Sequence, residues 1–372
     1  MENQMNICLS KIFDTIYVRD ELNPDEKRAP IVPNDIGKLI DSGFSVFIQS
    51  SDHRIYSDKL YTDAGAIVTD IPWYSEKFQS RTQSMLIVGI KEIGDVGMNN
   101  LNGHHHLFFA HAFKEQTDAG YILSQFNHSN SKIYDFEYFV FPSNQKRIIS
   151  MGFYAGIVGS LLGLQQFFTK KLYQTNICNL RPILNMYEID HILYDFFNEF
   201  KSITVGIIGA NGNCGTGVRY ILDKYGIKYE KIGRKYDASL FPQYDIFFNC
   251  IALDPDDNLI FFDRYSQFYK QICIVDISSD SKKFNNPIDL YNDEGTWTDP
   301  VINLENSNQI PIDIIAISNL PSLLPFDSSN YFSKKCTELI KQINSDRNGY
   351  WANVKCAINF CFGNNWLHIF GR

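Results

Sequence analysis

Apolar residues fall along this chain in short runs, separated by polar stretches that repeat apolar positions at helical spacing. In the first half, Ser45–Gln49, Ala66–Thr69, Met85–Ile90 and His106–Phe109 read as strands. Met85–Ile90 is apolar throughout, the mark of a strand buried on both faces. Asp35–Ser42 and Leu60–Ala64 read as helices between them. Residues Ile148–Phe168 predict a longer helix, and Pro321–Gln342 another. In the second half, Ile203–Ile208, Tyr229–Ile232, Asp245–Ile251 and Gln271–Ile277 predict further strands. Arg181–Thr204 reads as a more polar bridge into that half. Strand and helix alternate at the spacing of a parallel, doubly wound sheet.

One junction carries chemistry. The strand Ile203–Ile208 runs into Gly209, Gly212 and Gly215, and a helix is expected from about Thr216, with Val218, Ile221 and Leu222 on one face. A buried strand, a turn without Cβ atoms and a helix N-terminus together suit a dinucleotide, because the N–H groups of the helix start face its pyrophosphate. The spacing is G-x-x-G-x-x-G rather than G-x-G-x-x-G, so the flanking strands carry the argument more than the string does.

Composition narrows the classes. The 372 residues suffice for two domains, and 44% apolar with 20% charged residues fits a soluble globular protein with sizeable cores. The formal charge of −8 and the lack of Lys/Arg clusters among aromatics argue against a nucleic-acid partner. Phe153–Leu164 is the most apolar stretch, too short to span a bilayer and rich in glycine, so a packed helix is expected and no membrane partner. The N-terminus lacks a signal-peptide pattern, and the eight cysteines form no C-x-x-C pair, so a reducing cytoplasm and no zinc site are expected. His104, His105 and His106 do not suggest a metal, since three consecutive residues cannot all face one ion.

Several ordered motifs resemble the lysine-forming saccharopine dehydrogenases, which group with alanine dehydrogenase and the nucleotide-binding part of transhydrogenase. They are GIKE (Gly89–Glu92), FAHAFKEQ (Phe109–Gln116), IYDFE (Ile133–Glu137), GFYAG (Gly152–Gly156), GANGNCG (Gly209–Gly215), FNCIAL (Phe248–Leu253), VDISSD (Val275–Asp280) and NLPSLLP (Asn319–Pro325). The resemblance implies an α/β fold of two Rossmann-like domains with parallel sheets and an active-site cleft between them. Residues 1–149 plus 325–372 would form the catalytic domain, and residues 150–324 the dinucleotide-binding one. It implies an oxidoreductase that joins or splits an amine and a 2-oxo acid, saccharopine against lysine and 2-oxoglutarate, with NAD or NADP. Its partners would be those small molecules, and the chain a monomer or small homo-oligomer.

Carried over by motif, Lys91 and His111 would be the acid–base pair. Oxidising a C–N bond and hydrolysing the imine moves protons near neutral pH, which suits an imidazole and a lysine of lowered pKa. Glu92 and Glu137 match carboxylates that would tune them. Arg28, Glu26, Lys114 and Arg147 match substrate-binding positions, arginine being the side chain whose planar fork holds a carboxylate. Gly209, Gly212, Asn213, Cys214, Gly215, Cys250, Asp276, Asn319 and Leu320 match the cofactor side. Cys214 and Cys250 stand at points that a parallel sheet brings within disulfide reach, with two reduced thiols as the alternative.

Three departures bear on ligand choice. After Tyr229–Ile232 the sequence reads Gly233, Arg234, Lys235 where NAD-binding members commonly carry an acid, so Arg234 leans towards the 2′-phosphate of NADP, with Asp237 as a carboxylate that could still serve. Asn23 and Ser318 replace a lysine and an aspartate of the family, which leaves room for an amine other than lysine. A non-catalytic nucleotide-binding regulator is the reading from another class, and retention of Lys91 with His111 argues against it.

Overall fold

A computed structural model describes residues 13–113, 119–141, 143, 146–233, 235–251, 259–278, 286–305 and 309–344. The chain divides into two compact units, Met1–Ser150 with Ser329–Arg372, and Met151–Ser328.

In the first unit β1 (Thr15–Val18) is followed by α1 (Pro33–Asp41), β2 (Ser45–Gln49), α2 (Asp58–Asp63), β3 (Ile67–Thr69), β4 (Met85–Val88), α3 (Gly94–Met98), β5 (His105–Phe108), α4 (Ala119–His128) and β6 (Lys132–Asp135). The six strands are parallel, in the order β3-β2-β1-β4-β5-β6. After β3 the chain returns to the other side of β1, so β1 and β4 flank a topological switch point. β1 and β4 are buried at every residue, which explains the unbroken apolar run of β4. Behind β5, Trp73 packs edge-on to His104 and His106, at ring separations of 5.3 and 4.8 Å, while His105 stacks on Tyr134 from the other face. The strand period thus splits the three histidines.

The second unit opens with α5 (Gly152–Tyr173) and α6 (Met186–Leu193). β7 (Val205–Ile208), α7 (Asn213–Lys224), β8 (Glu230–Ile232), β9 (Ile246–Asn249), β10 (Ile272–Asp276), β11 (Ile302–Glu305) and β12 (Pro311–Ile315) follow. Its sheet runs β11-β12-β10-β9-β7-β8, parallel except for β11. Register lines up Ile207, Phe248, Val275 and Ile315 across four strands, all in the core on one face. Their neighbours Phe247, Ile274 and Ile314 form the core on the other. α5 crosses the first face and packs on α7. A Cβ at Gly156 would strike the Cys214 carbonyl, and one at Gly217 the Phe153 carbonyl, so these two helices touch backbone to backbone. Gly159 and Gly163 of the same helix face the sheet, where a Cβ would strike Ile277 and Val275, so the glycine-rich stretch within Phe153–Leu164 lets α5 press on α7 and on the sheet.

The polar bridge expected over Arg181–Thr204 is corrected. That segment contains α6, and Ile183, Ile189, Leu193, Phe196, Phe200 and Ile203 are buried in the core around α5. Polar residues on its outer side masked an ordinary amphipathic pattern. The expected helix Pro321–Gln342 begins as a 3-10 turn, Leu320–Leu323, and continues as α8 (Pro325–Lys341). α8 carries the chain back into the first unit, where Phe332 packs on Phe136 and Phe109. Among the described residues no helix is long and apolar enough to cross a membrane.

Candidate functional site

In the first unit the named groups gather at the carboxyl ends of β1, β4, β5 and β6. β4 runs out through Gly89 and Ile90 to Lys91, and the ladder persists this far: Gly89 N donates to Leu107 O and Phe109 N to Ile90 O. Lys91 is partly buried. Burial, then the Arg28 guanidinium, lower its pKa from the usual lysine range, while Glu92, Glu26 and Glu21 act in the opposite direction. A lysine so placed can exchange a proton nearer neutrality than a surface ammonium. Glu92 itself is exposed.

Arg28 and Glu26 form a buried fork, with Arg28 Nε donating to Glu26 Oε1 at 2.7 Å and Nη2 to Oε2. Burial works against the Glu26 carboxylate, yet its contacts with Arg28 hold its pKa below the ordinary value. One face of the Arg28 fork is therefore filled by an internal carboxylate, and the guanidinium's other edge carries its remaining N–H donors. α8 seats this loop: Ser329 Oγ accepts Ala29 N–H, and Ser333 Oγ accepts Val32 N–H, each at 2.9 Å.

His111 lies three residues past the end of β5 (Phe108), the strand next to β4, with φ at +49°. A left-handed backbone is uncommon for a non-glycine residue and marks a constrained position. Its ring lies 6.3 Å from that of Phe109, nearly parallel. At the end of β6, Asp135 is buried and its carboxyl is pushed up to about 7 by desolvation, while Oδ1 accepts Glu137 N–H at 2.9 Å. Glu137 pairs with Arg147 at 3.4 Å. Lys114 and Arg234 lie outside the described residues.

Two residues absent from the sequence reading enter here. Arg19 and Glu21, both buried, follow β1 directly across the switch point from Lys91. Glu21 Oε1 accepts Ile90 N–H at 2.6 Å and Oε2 accepts Lys91 N–H at 2.9 Å, while Arg19 donates to the Lys91 carbonyl. Gly89 is glycine because a Cβ there would overlap the Arg19 guanidinium. The signal in the sequence was a charged pair set immediately after an apolar run.

In the second unit the switch point falls between β7 and β9. Gly209 turns with φ at +77°, and a Cβ on it would crowd the Cys250 backbone. Gly212 N donates back to Gly209 O, and Gly212 stands in extended conformation as the N-cap of α7. The helix therefore starts at Asn213, three residues before the expected Thr216. No acidic side chain occupies its first turn. A glycine turn ahead of a helix start that has no side-chain cap fits a pyrophosphate by the chemistry of the donors, and Gly209, Gly212, Asn213, Cys214 and Gly215 are the residues that would hold it.

Cys214 and Cys250 are free thiols, and the neighbouring Cys214 thiol, followed by burial, pushes the Cys250 thiol up. Asp276 is buried and committed internally: Oδ1 accepts Asn249 Nδ2 at 2.9 Å and Oδ2 accepts the Tyr291 hydroxyl at 2.7 Å. Its carboxylate braces β9 against β10. Asn319 adopts a left-handed φ of 63°, and its buried Oδ1 has no hydrogen-bond partner among the described residues. Leu320 is buried in the core. Among the described residues no three His, Cys, Asp or Glu side chains converge as metal ligands.

Two Rossmann-like units, one with strand-end ionisable groups and one with a glycine turn before a helix, define a two-unit α/β oxidoreductase. A family model described as alanine dehydrogenase/PNT, N-terminal domain, matches residues 17–158. A saccharopine dehydrogenase [NAD(+), L-lysine-forming] of Candida glabrata is 31% identical over 351 residues, 89% of this chain and 92% of the relative. One of Yarrowia lipolytica, with the same name, is 30% identical over 92% of this chain and 96% of its own. The solved structure of an L-alanine dehydrogenase superposes with a TM-score of 0.69 over 92% of this chain and 93% of that one; at 13% identity the likeness is one of fold. The chain belongs to the saccharopine dehydrogenase family.

Proposed function

We propose that this enzyme interconverts saccharopine with lysine and 2-oxoglutarate, using a nicotinamide dinucleotide. The observation that carries the reading is the likeness to relatives of that name along 89% of the chain, with Lys91, His111, Arg28 and Glu26 at their motif positions. Gly209–Gly215 would hold the dinucleotide, which when bound would supply the hydride acceptor for the carbon beside the secondary nitrogen. Loss of that hydride and of the N–H proton leaves an imine; water adds, and the carbinolamine splits into amine and oxo acid. Lys91 and His111 take up and return the protons of these steps. Arg28 orients a substrate carboxylate, and Glu92 and the Glu137–Arg147 pair set the charge around the bases.

The relatives' names favour NAD. A preference for NADP is the second form of this reading. It is supported by the absence of an acid at residues 233–235, and by Asp237, whose Oδ1 is taken by Ser239 N–H and Oγ. Asn23 favours a second amine: it stands where the family has lysine, and its Oδ1 accepts the Asp25 N–H within its own exposed turn. The test is a panel of primary amines and 2-oxo acids with NADH or NADPH, read by loss of reduced-nicotinamide absorbance. Lysine with 2-oxoglutarate is expected to be fastest; no turnover with any pair would defeat the reading. Arg234→Asp is expected to weaken NADPH use more than NADH use if the phosphate form is the true one.

A further inference from the structure

Lys91 is gripped through its backbone, not only surrounded by charge. Its N–H goes to Glu21 Oε2, its carbonyl to Arg19, and the N–H before it, on Ile90, to Glu21 Oε1. Arg19 Nη1 also pairs with Glu21 Oε2 at 3.3 Å, and both side chains are nearly inaccessible, at 3% and 4%. The need for such a grip follows from the topology. β1 and β4 part company at the switch point, so the amides of residues 90 and 91 have left the ladder between them. A buried ion pair is a poor way to gain stability, because desolvation offsets its attraction and apolar residues serve as well. Apolar residues cannot, however, bind an N–H and a C=O on either side of one Cα.

We propose that Arg19 and Glu21 are positioning residues for catalysis: together they fix the backbone of Lys91, and so where its ammonium is presented. The proposal rests on Lys91 being an acid–base group. Neither residue touches substrate in this account; both act through Lys91. Glu21 also adds an anion to the set that faces the lysine, alongside Glu26, Glu92 and the opposing Arg28.

The test uses the full-length enzyme with saccharopine and NAD+. Two variants disturb the grip differently. Glu21→Gln removes the anion and turns one acceptor into a donor facing an N–H. Gly89→Ala keeps both charges and displaces the Arg19 guanidinium. Both are expected to lower kcat roughly 10- to 100-fold, the scale of a small misplacement of a reacting group, with KM for NAD+ within about twofold of wild type. Removing the Glu21 anion disfavours the ammonium, so the limb of the pH–rate profile set by Lys91 moves to lower pH in Glu21→Gln. In Gly89→Ala it stays closer to its place. A parallel titration of Lys91, by pH-dependent acylation and peptide mass spectrometry, reads the same shift without turnover. Folded variants with wild-type kcat and an unmoved lysine titration would overturn the positioning role. If Glu21→Gln does not fold, wild-type kcat in Gly89→Ala overturns it alone. Should Lys91→Met leave turnover unchanged, the acid–base reading of Lys91 fails instead, a result separable from silence of the two variants in an enzyme that needs Lys91.

Discussion

The Ser333 hydroxyl donates to Asp35 Oδ2 at 2.6 Å across 298 positions of sequence, while its oxygen accepts the Val32 N–H. This one side chain ties α8 to the loop that leads from Arg28 into α1. Ser333→Ala leaves a buried amide and a carboxylate oxygen each short of a partner, at a cost of about 1–3 kcal/mol. A lowered denaturation midpoint with an unchanged m-value is the expected result, and an unshifted midpoint would show the contact to be idle.

Asp135 gives stability a dependence on pH. Its folded pKa of about 7 exceeds the ordinary 3.8 because burial disfavours the anion. Between those values the folded state binds more protons than the unfolded one, so this group's contribution declines as pH rises through the window. Asp135→Asn keeps an oxygen for the Glu137 amide and removes the titration. The variant is expected to gain on wild type from pH 4 to 7, by up to about 4 kcal/mol on the scale of one pKa unit per 1.36 kcal/mol. Urea melts at several pH values measure it; parallel stability curves for the two proteins would exclude the role.

His106 works in the other direction. It is wholly enclosed beside Trp73 and Phe126, and burial followed by the neighbouring His104 holds its pKa well below 6.5. The unfolded chain takes up a proton that the folded one refuses, so stability is lost as pH falls below about 6.5. His106→Phe is expected to flatten that acid limb. A limb equally steep in the variant would assign acid sensitivity elsewhere.

His111→Asn is expected to reduce turnover by about 10²- to 10⁴-fold, the usual worth of a general acid–base group, with little change in the Kd for the dinucleotide. Asparagine also tolerates the left-handed backbone that His111 adopts, so the fold is spared. Wild-type turnover in this variant would remove His111 from the proton relay.

The legible parts of the sequence were those where packing leaves a simple pattern. β9 and β10 are buried at every residue and show as apolar runs. β12 did not, because Asp313 interrupts it; that carboxylate is buried and accepts from Gln166 on α5 at 2.9 Å. β1 (TIYV) is less plain because Thr15 and Tyr17 break its apolar run, and with it go Arg19 and Glu21, whose partners are backbone groups some 70 residues away. Such a role leaves no periodicity to read. The glycine turn was readable because close approach of backbones demands the absence of Cβ at Gly209. Lys91 and His111 were found through resemblance; spacing alone gives a lysine or a histidine after a strand no distinction.

The second unit is one unbroken stretch of chain, whereas the first is assembled from two pieces, the later of which begins within α8. During synthesis the second unit therefore has its described strands in hand while the first unit still waits for α8. The ribosome finishes the second unit before the loop around Arg28 acquires the serines that pin it down.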